Sequence, residues 1–120
     1  MAPMPPAIRA AFEAELTTAR RTTDPDSGWR ALERAHILSQ PWPWPHTRAH
    51  WHMLRLALHT HNRPETRGQL IRLAVAAIAS ALGRVPLGNT GRTSVGLTTP
   101  MPLPTDLARL LTDAGITATR

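Results

Sequence analysis

Trp29-Arg30-Ala31-Leu32-Glu33-Arg34-Ala35-His36-Ile37-Leu38-Ser39-Gln40 is the stretch on which the reading of this chain turns. Trp29, Leu32, Glu33, His36, Ile37 and Gln40 recur at intervals of three and four, the period of one face of an α-helix. The large apolar members of that row turn it inward, and Glu33 and His36 go with them. A carboxylate inside a core is costly unless it is paired, hydrogen-bonded or bound to metal. The stretch therefore predicts a helix, from about Gly28 to Gln40, and a polar site on its buried face.

The same period runs outward in both directions. Ile8, Ala11, Phe12, Leu16 and Ala19 mark an amphipathic helix between Pro6 and Thr22. The turn formers from Thr22 to Gly28 separate it from the next helix, with Asp26 or Ser27 as the expected cap. After Gln40, the alternating prolines of Pro41-Trp42-Pro43-Trp44-Pro45 predict a stiff, extended connection with its two tryptophans over the core. A third helix is expected from about His46 to His61. A fourth follows the break at Asn62-Arg63-Pro64-Glu65 and continues to Leu82, ahead of Gly83 as a C-terminal stop. Leu70, Ile71, Leu73, Ala74, Val75, Ala77, Ile78, Ala81 and Leu82 are apolar on more than one face, which predicts that the fourth helix is the central, most buried one. Residues 85–104 are rich in Gly, Pro and Thr and lack helical period, so an irregular strap is expected there. It precedes a last short helix, Asp106 to Ala114, capped by Thr105. The fold class is thus all-α: a compact four-to-five-helix bundle forming a single domain over residues 1–120, with residues 1–6 as a disordered N-terminus.

Composition limits the chemistry. An apolar fraction of 42% fills one core, but aromatics at 4% leave the packing to aliphatic residues and alanine. With no cysteine, thiolate metal sites, disulfides and thiol nucleophiles are excluded. The net charge of +6 comes from 14 arginines without a lysine, a weak pointer to nucleic acid, and nucleic-acid binding is disfavoured because no interleaved aromatics or helix-turn-helix glycine turn accompany them. Neither an apolar run of about 18 residues nor a signal-like N-terminus is present, so the expectation is a cytoplasmic protein with no membrane partner.

All six histidines lie between His36 and His61. On the third helix His46, His50, Met53, Leu54, Ala57 and His61 share a face, and His46 and His50 stand one turn apart. Two imidazoles at i and i+4 can hold one divalent ion, to which the preceding helix would bring Glu33 and His36. Glu33, His36, His46 and His50 are the expected metal ligands, with Glu15, Gln40 and Met53 as accessory candidates and Trp29 and Trp51 as the cavity shell. Imidazole and carboxylate donors suit zinc, iron, copper, nickel or manganese. Glu33-Arg34-Ala35-His36 is also the Glu-x-x-His unit of di-metal bundles, but a full set would need a homodimer or Glu15. His46-Thr47-Arg48-Ala49-His50 lacks the glutamate of a zinc-protease helix. His52, His59 and His61 read as partly exposed surface residues. In the strap, Arg84, Asn89 and Arg92 are a weak candidate for an anion-binding turn. Three functions compete: metal handling, storage or sensing; a small metal-dependent oxidase, oxygenase or hydrolase using the same site; and a structural or interaction protein in which Glu33 and His36 pair with Arg34, Arg48 or Arg72.

Leu32 to Gln40, His46 to Leu54, and Leu82-Gly83-Arg84-Val85-Pro86-Leu87-Gly88-Asn89-Thr90-Gly91 together resemble a family of small bacterial proteins known only as a domain of unknown function. The resemblance extends over roughly Trp29 to Pro104 and implies no established reaction. It implies a loose association with metal-handling genes. Glu33, His36, Gln40, His46, His50 and the Gly88 to Gly91 turn match its blocks.

Overall fold

The computed structural model describes residues 3–81 and 103–116, with side chains up to residue 75 in the first span. Five helices follow one another: α1 (Pro6–Arg21), α2 (Pro25–Ser39), α3 (Pro43–His59), α4 (Arg63–Ala81) and α5 (Thr105–Asp113). Among the described residues there is no strand, and no helix is long and apolar enough to cross a membrane. Short turns pack α1 on α2, α2 on α3 and α3 on α4, and α5 lies against α1 and α2. The all-α bundle expected from helical period is the observed architecture.

The core is the meeting of four amphipathic faces. Ile8, Phe12 and Leu16 of α1 close on Trp29, Leu32, Ala35 and Leu38 of α2, on Ala49, Met53 and Ala57 of α3, and on Leu107 and Leu111 of α5. Met4, ahead of α1, packs into the same cluster. Charged contacts tie the rim: Arg34 of α2 bonds Glu15 of α1 at 2.8 Å and also Asp106 of α5. Arg48 of α3 bonds Glu13 of α1 at 2.5 Å and lies over the Phe12 ring, 5.5 Å from its centroid.

Four local expectations are corrected. The proline run is not an extended connection, because α3 already starts at Pro43. First-turn residues have no intrahelical acceptor for their N–H, and proline's fixed φ suits that turn, so Pro43 and Pro45 begin the helix instead of blocking it. The first i to i−4 bond is His46 N–H to Trp42 C=O, 3.0 Å, and the tryptophans divide: Trp42 is buried and Trp44 is 70% exposed. α2 begins at Pro25, not Gly28, because Asp24 is the cap, accepting from the Ser27 backbone N–H at 3.1 Å. α5 has Thr105 inside its first turn, with Pro104 at the cap position and no side-chain cap bond. Finally, α4 is not the central apolar helix. Leu70 and Ile71 are more than half exposed, and its buried described side chains are Glu65, Gln69 and Arg72. These stand at i, i+4 and i+7, so over its described side chains, up to residue 75, the buried face of α4 is polar, with Gln69 bonded to His50 of α3. The strap, with Arg84, Asn89 and Arg92, lies outside the described residues apart from Leu103 and Pro104.

α3 and α5 end in the same way with different residues. The N–H groups of His61 and Asn62 return to the carbonyls of Leu58 and Ala57, and those of Gly115 and Ile116 to Thr112 and Leu111. Both ends are Schellman motifs, which place the residue after the cap in the left-handed region. Gly115 takes φ +79 without a Cβ penalty, whereas His61 takes φ +56 with one. His61→Gly is therefore expected to stabilise the fold by roughly 1 kcal/mol, less glycine's extra unfolded-state entropy. Urea unfolding of the two proteins checks this, and a destabilised variant would contradict it.

Candidate metal centre

The α2–α3 corner sets the site. His36 is in the last turn of α2, and the short turn 40–42 brings it against the start of α3, where His46 and His50 stand one turn apart. Each of the three rings is 3% exposed. His36 Nε2 is 2.8 Å from His46 Nε2 and 3.1 Å from His50 Nε2, and the ring centroids are 4.5 to 5.0 Å apart. Three nitrogens thus converge on one point inside the protein.

The fourth helix defines the chemistry of that point. Asn62 receives the Glu65 backbone N–H on its side-chain oxygen at 3.2 Å, capping α4 and placing Glu65 in its first turn. Glu65 Oε2 accepts from Gln69 Nε2 at 3.1 Å, which leaves Gln69 Oε1 to face His50 Nδ1 at 2.7 Å. An amide oxygen only accepts, so His50 Nδ1 carries the proton. Burial pushes the His50 pKa down to about 4, opposed by the Gln69 bond, with the Arg72 charge lowering it further and Glu65 raising it. Neutral at pH 7 and protonated at Nδ1, His50 presents a lone pair at Nε2.

That lone pair constrains its neighbours. An imidazole nitrogen has one in-plane position, holding either a proton or a lone pair, so His36 Nε2 can direct a hydrogen bond at one of its two facing nitrogens and not at both. A cation accepts from all three. With metal–nitrogen bonds of roughly 2.0–2.1 Å, nitrogens at 90° would be about 2.9 Å apart and at the tetrahedral angle about 3.4 Å apart. The two separations from His36 Nε2, 2.8 and 3.1 Å, are of that order. These three histidines form a group whose ligand atoms all lie within 4.8 Å of one another.

The sequence profile of a protein family of unknown function matches residues 6–111. The chain belongs to that family, DUF3703. No curated protein and no solved structure matches it. The DUF3703 match takes in all three histidines and the Asn62, Glu65 and Gln69 groups behind them.

Of the residues singled out from sequence, the structure joins His36, His46 and His50. Glu33 is half-buried one turn before His36 and lies outside the group of three. Gln40 is buried one turn after His36, and Met53 is fully buried in the apolar core. Glu15 bonds Arg34. Arg34 bonds Glu15 and Asp106, and Arg48 bonds Glu13. Trp29 is buried, whereas Trp51 is 52% exposed. His61 leaves the row of its helix because α3 ends at His59, and like His59 it is exposed. His52 is half-buried, and its pKa is lowered first by burial and then by Arg55, Arg48 and Arg20.

Sequence reasoning missed Glu65 and Gln69, and named Arg72 only as a pairing partner for Glu33 or His36. Their 65, 69, 72 spacing was the available signal: three polar residues sharing a helix face beside an otherwise apolar run.

Proposed function

We propose that this protein binds a first-row transition-metal ion through His36, His46 and His50, in a role of metal handling, storage or sensing. The observation that carries the reading is the convergence of three buried Nε2 atoms, one with its lone pair fixed by Gln69. Three imidazole nitrogens suit zinc, iron(II), copper(II), nickel or manganese. Glu33, on the same helix and one turn from His36, is the proposed carboxylate donor for a further coordination position. Burial of every ring favours a closed, binding site over one that admits a substrate.

Elemental mass spectrometry of untagged protein tests this. Wild type is expected to carry stoichiometric metal, and His36→Ala and His50→Ala purified identically are expected to carry none. Wild type that stays metal-free after reconstitution with each candidate ion would overturn the proposal.

A further inference from the structure

Two of the buried polar groups of α4, Glu65 and Gln69, stand outside the histidine group, yet they form a directed chain that ends on one of its members. Gln69 is fully buried and Glu65 is 4% exposed, so neither bond between them and His50 is in exchange with bulk water. The chain has a direction because its members differ in what they can do. An ionised carboxylate only accepts, an amide accepts at one end and donates at the other, and a neutral imidazole carries one proton on one of two nitrogens. Glu65 in the first turn of α4 is favoured as an anion by the helix dipole, and it takes the NH₂ end of Gln69. The oxygen end is thereby turned to His50, which must bring its proton to Nδ1.

We propose that Glu65, acting through Gln69, is a positioning residue that locks His50 in the tautomer able to bind a cation at Nε2. Its consequence for affinity rests on the metal-binding reading above, but the tautomer is a property of the metal-free protein. Reversing the amide would present NH₂ to Nδ1, move the proton to Nε2 and close that nitrogen to a metal. Partners of this kind behind a ligating histidine fix its tautomer and raise its basicity. Buried Arg72, whose charge acts on both Glu65 and His50, is the reason to change Glu65 conservatively.

The test reads the tautomer and the affinity separately. Imidazole ¹⁵N chemical shifts of the metal-free protein are expected to show His50 as the Nδ1–H form in wild type. Glu65→Gln, whose amide can offer either end to Gln69, and Gln69→Met, which removes the acceptor, are expected to give mixed tautomers. Cobalt(II) affinity, measured by competition with a chromophoric chelator, is expected to fall roughly 10–100-fold in Gln69→Met and by less in Glu65→Gln. Circular dichroism identifies a variant that has not folded, and should Gln69→Met be that variant, Glu65→Gln decides. An Nε2–H His50 in wild type, or an unchanged tautomer in the folded variants, overturns the proposal. So does an unchanged affinity where wild type binds cobalt. Failure of wild type to take up cobalt and each of the candidate ions instead overturns the metal-binding reading, and the tautomer populations then decide the relay alone.

Discussion

Zinc or cobalt(II) held at a hundredfold its Kd is expected to stabilise the metal-free protein by about 2.7 kcal/mol, the mass-action gain for a ligand that binds only the folded state. In domains near this size 1 kcal/mol moves Tm by roughly 4–8 °C, so the midpoint should rise by on the order of 10 °C or more. The effect has a structural source. His36 lies at the end of α2, and His46 and His50 at the start of α3, so an ion bound by all three ties together two helices otherwise joined by the turn 40–42. Unfolding separates the rings, and residual binding by single histidines in the unfolded chain would reduce the gain. His46→Ala should show little shift, because two imidazoles with a water-filled gap hold a metal far less tightly than three. A chelator should return wild type to its metal-free midpoint. Equal shifts in wild type and His46→Ala would place any bound metal elsewhere, with exposed His59 and His61 as the first alternatives.

The histidine group was legible in sequence because it depends on two short-range rules. His46 and His50 are one turn apart whatever their helix packs against, and His36 is separated from them by a connection too short to carry α2 away from α3. The burial of His36 followed from Leu32 and Ile37 on the same stripe. What lay beyond those rules was less accessible. Proline both ends and begins helices, so Pro43-Trp44-Pro45 read as a barrier when it is the first turn of α3. Leu70, Ile71 and Val75 outweighed Glu65, Gln69 and Arg72 in the apolar pattern of α4, yet the polar line faces inward. Periodicity identifies faces, and which face turns inward is decided by the neighbour: the rings on α3 need hydrogen-bond partners that leucine cannot supply. Glu33 shows the limit from the other side. Sharing a stripe with His36 did not by itself decide whether its carboxylate joins the ring nitrogens, and Glu33 stands outside the group whose ligand atoms all lie within 4.8 Å of one another.

Acid is expected to destabilise the metal-free protein between about pH 6.5 and pH 4, above the range in which ordinary carboxylates titrate. His50 is held neutral by burial, its pKa lowered from 6.5 to about 4. Below pH 6.5 the unfolded chain takes up a proton at this position and the folded protein does not, so the unfolded state binds more protons and stability falls as pH falls. The contribution is fully present above pH 6.5, is lost progressively through the window, and is on the order of 3 kcal/mol. His52, also lowered by burial, adds to the slope in the same direction. Carboxylates act in a separate range: Glu13 and Asp106 are lowered by their bonds to Arg48 and Arg34, so the stability they contribute is present at neutral pH and lost only as pH falls through their own depressed values. Urea unfolding at half-unit pH intervals, with and without His50→Gln, separates the two. The variant should have a visibly flatter profile from pH 6.5 to 4 and the same fall below it. A wild-type profile that is level across the upper window would mean that His50 gains a proton without unfolding, and the Nδ1–H bond to Gln69 would then not require a neutral ring. Zinc should deepen the same loss, because the protonation that unfolds the apo protein also competes for the nitrogens that bind the ion.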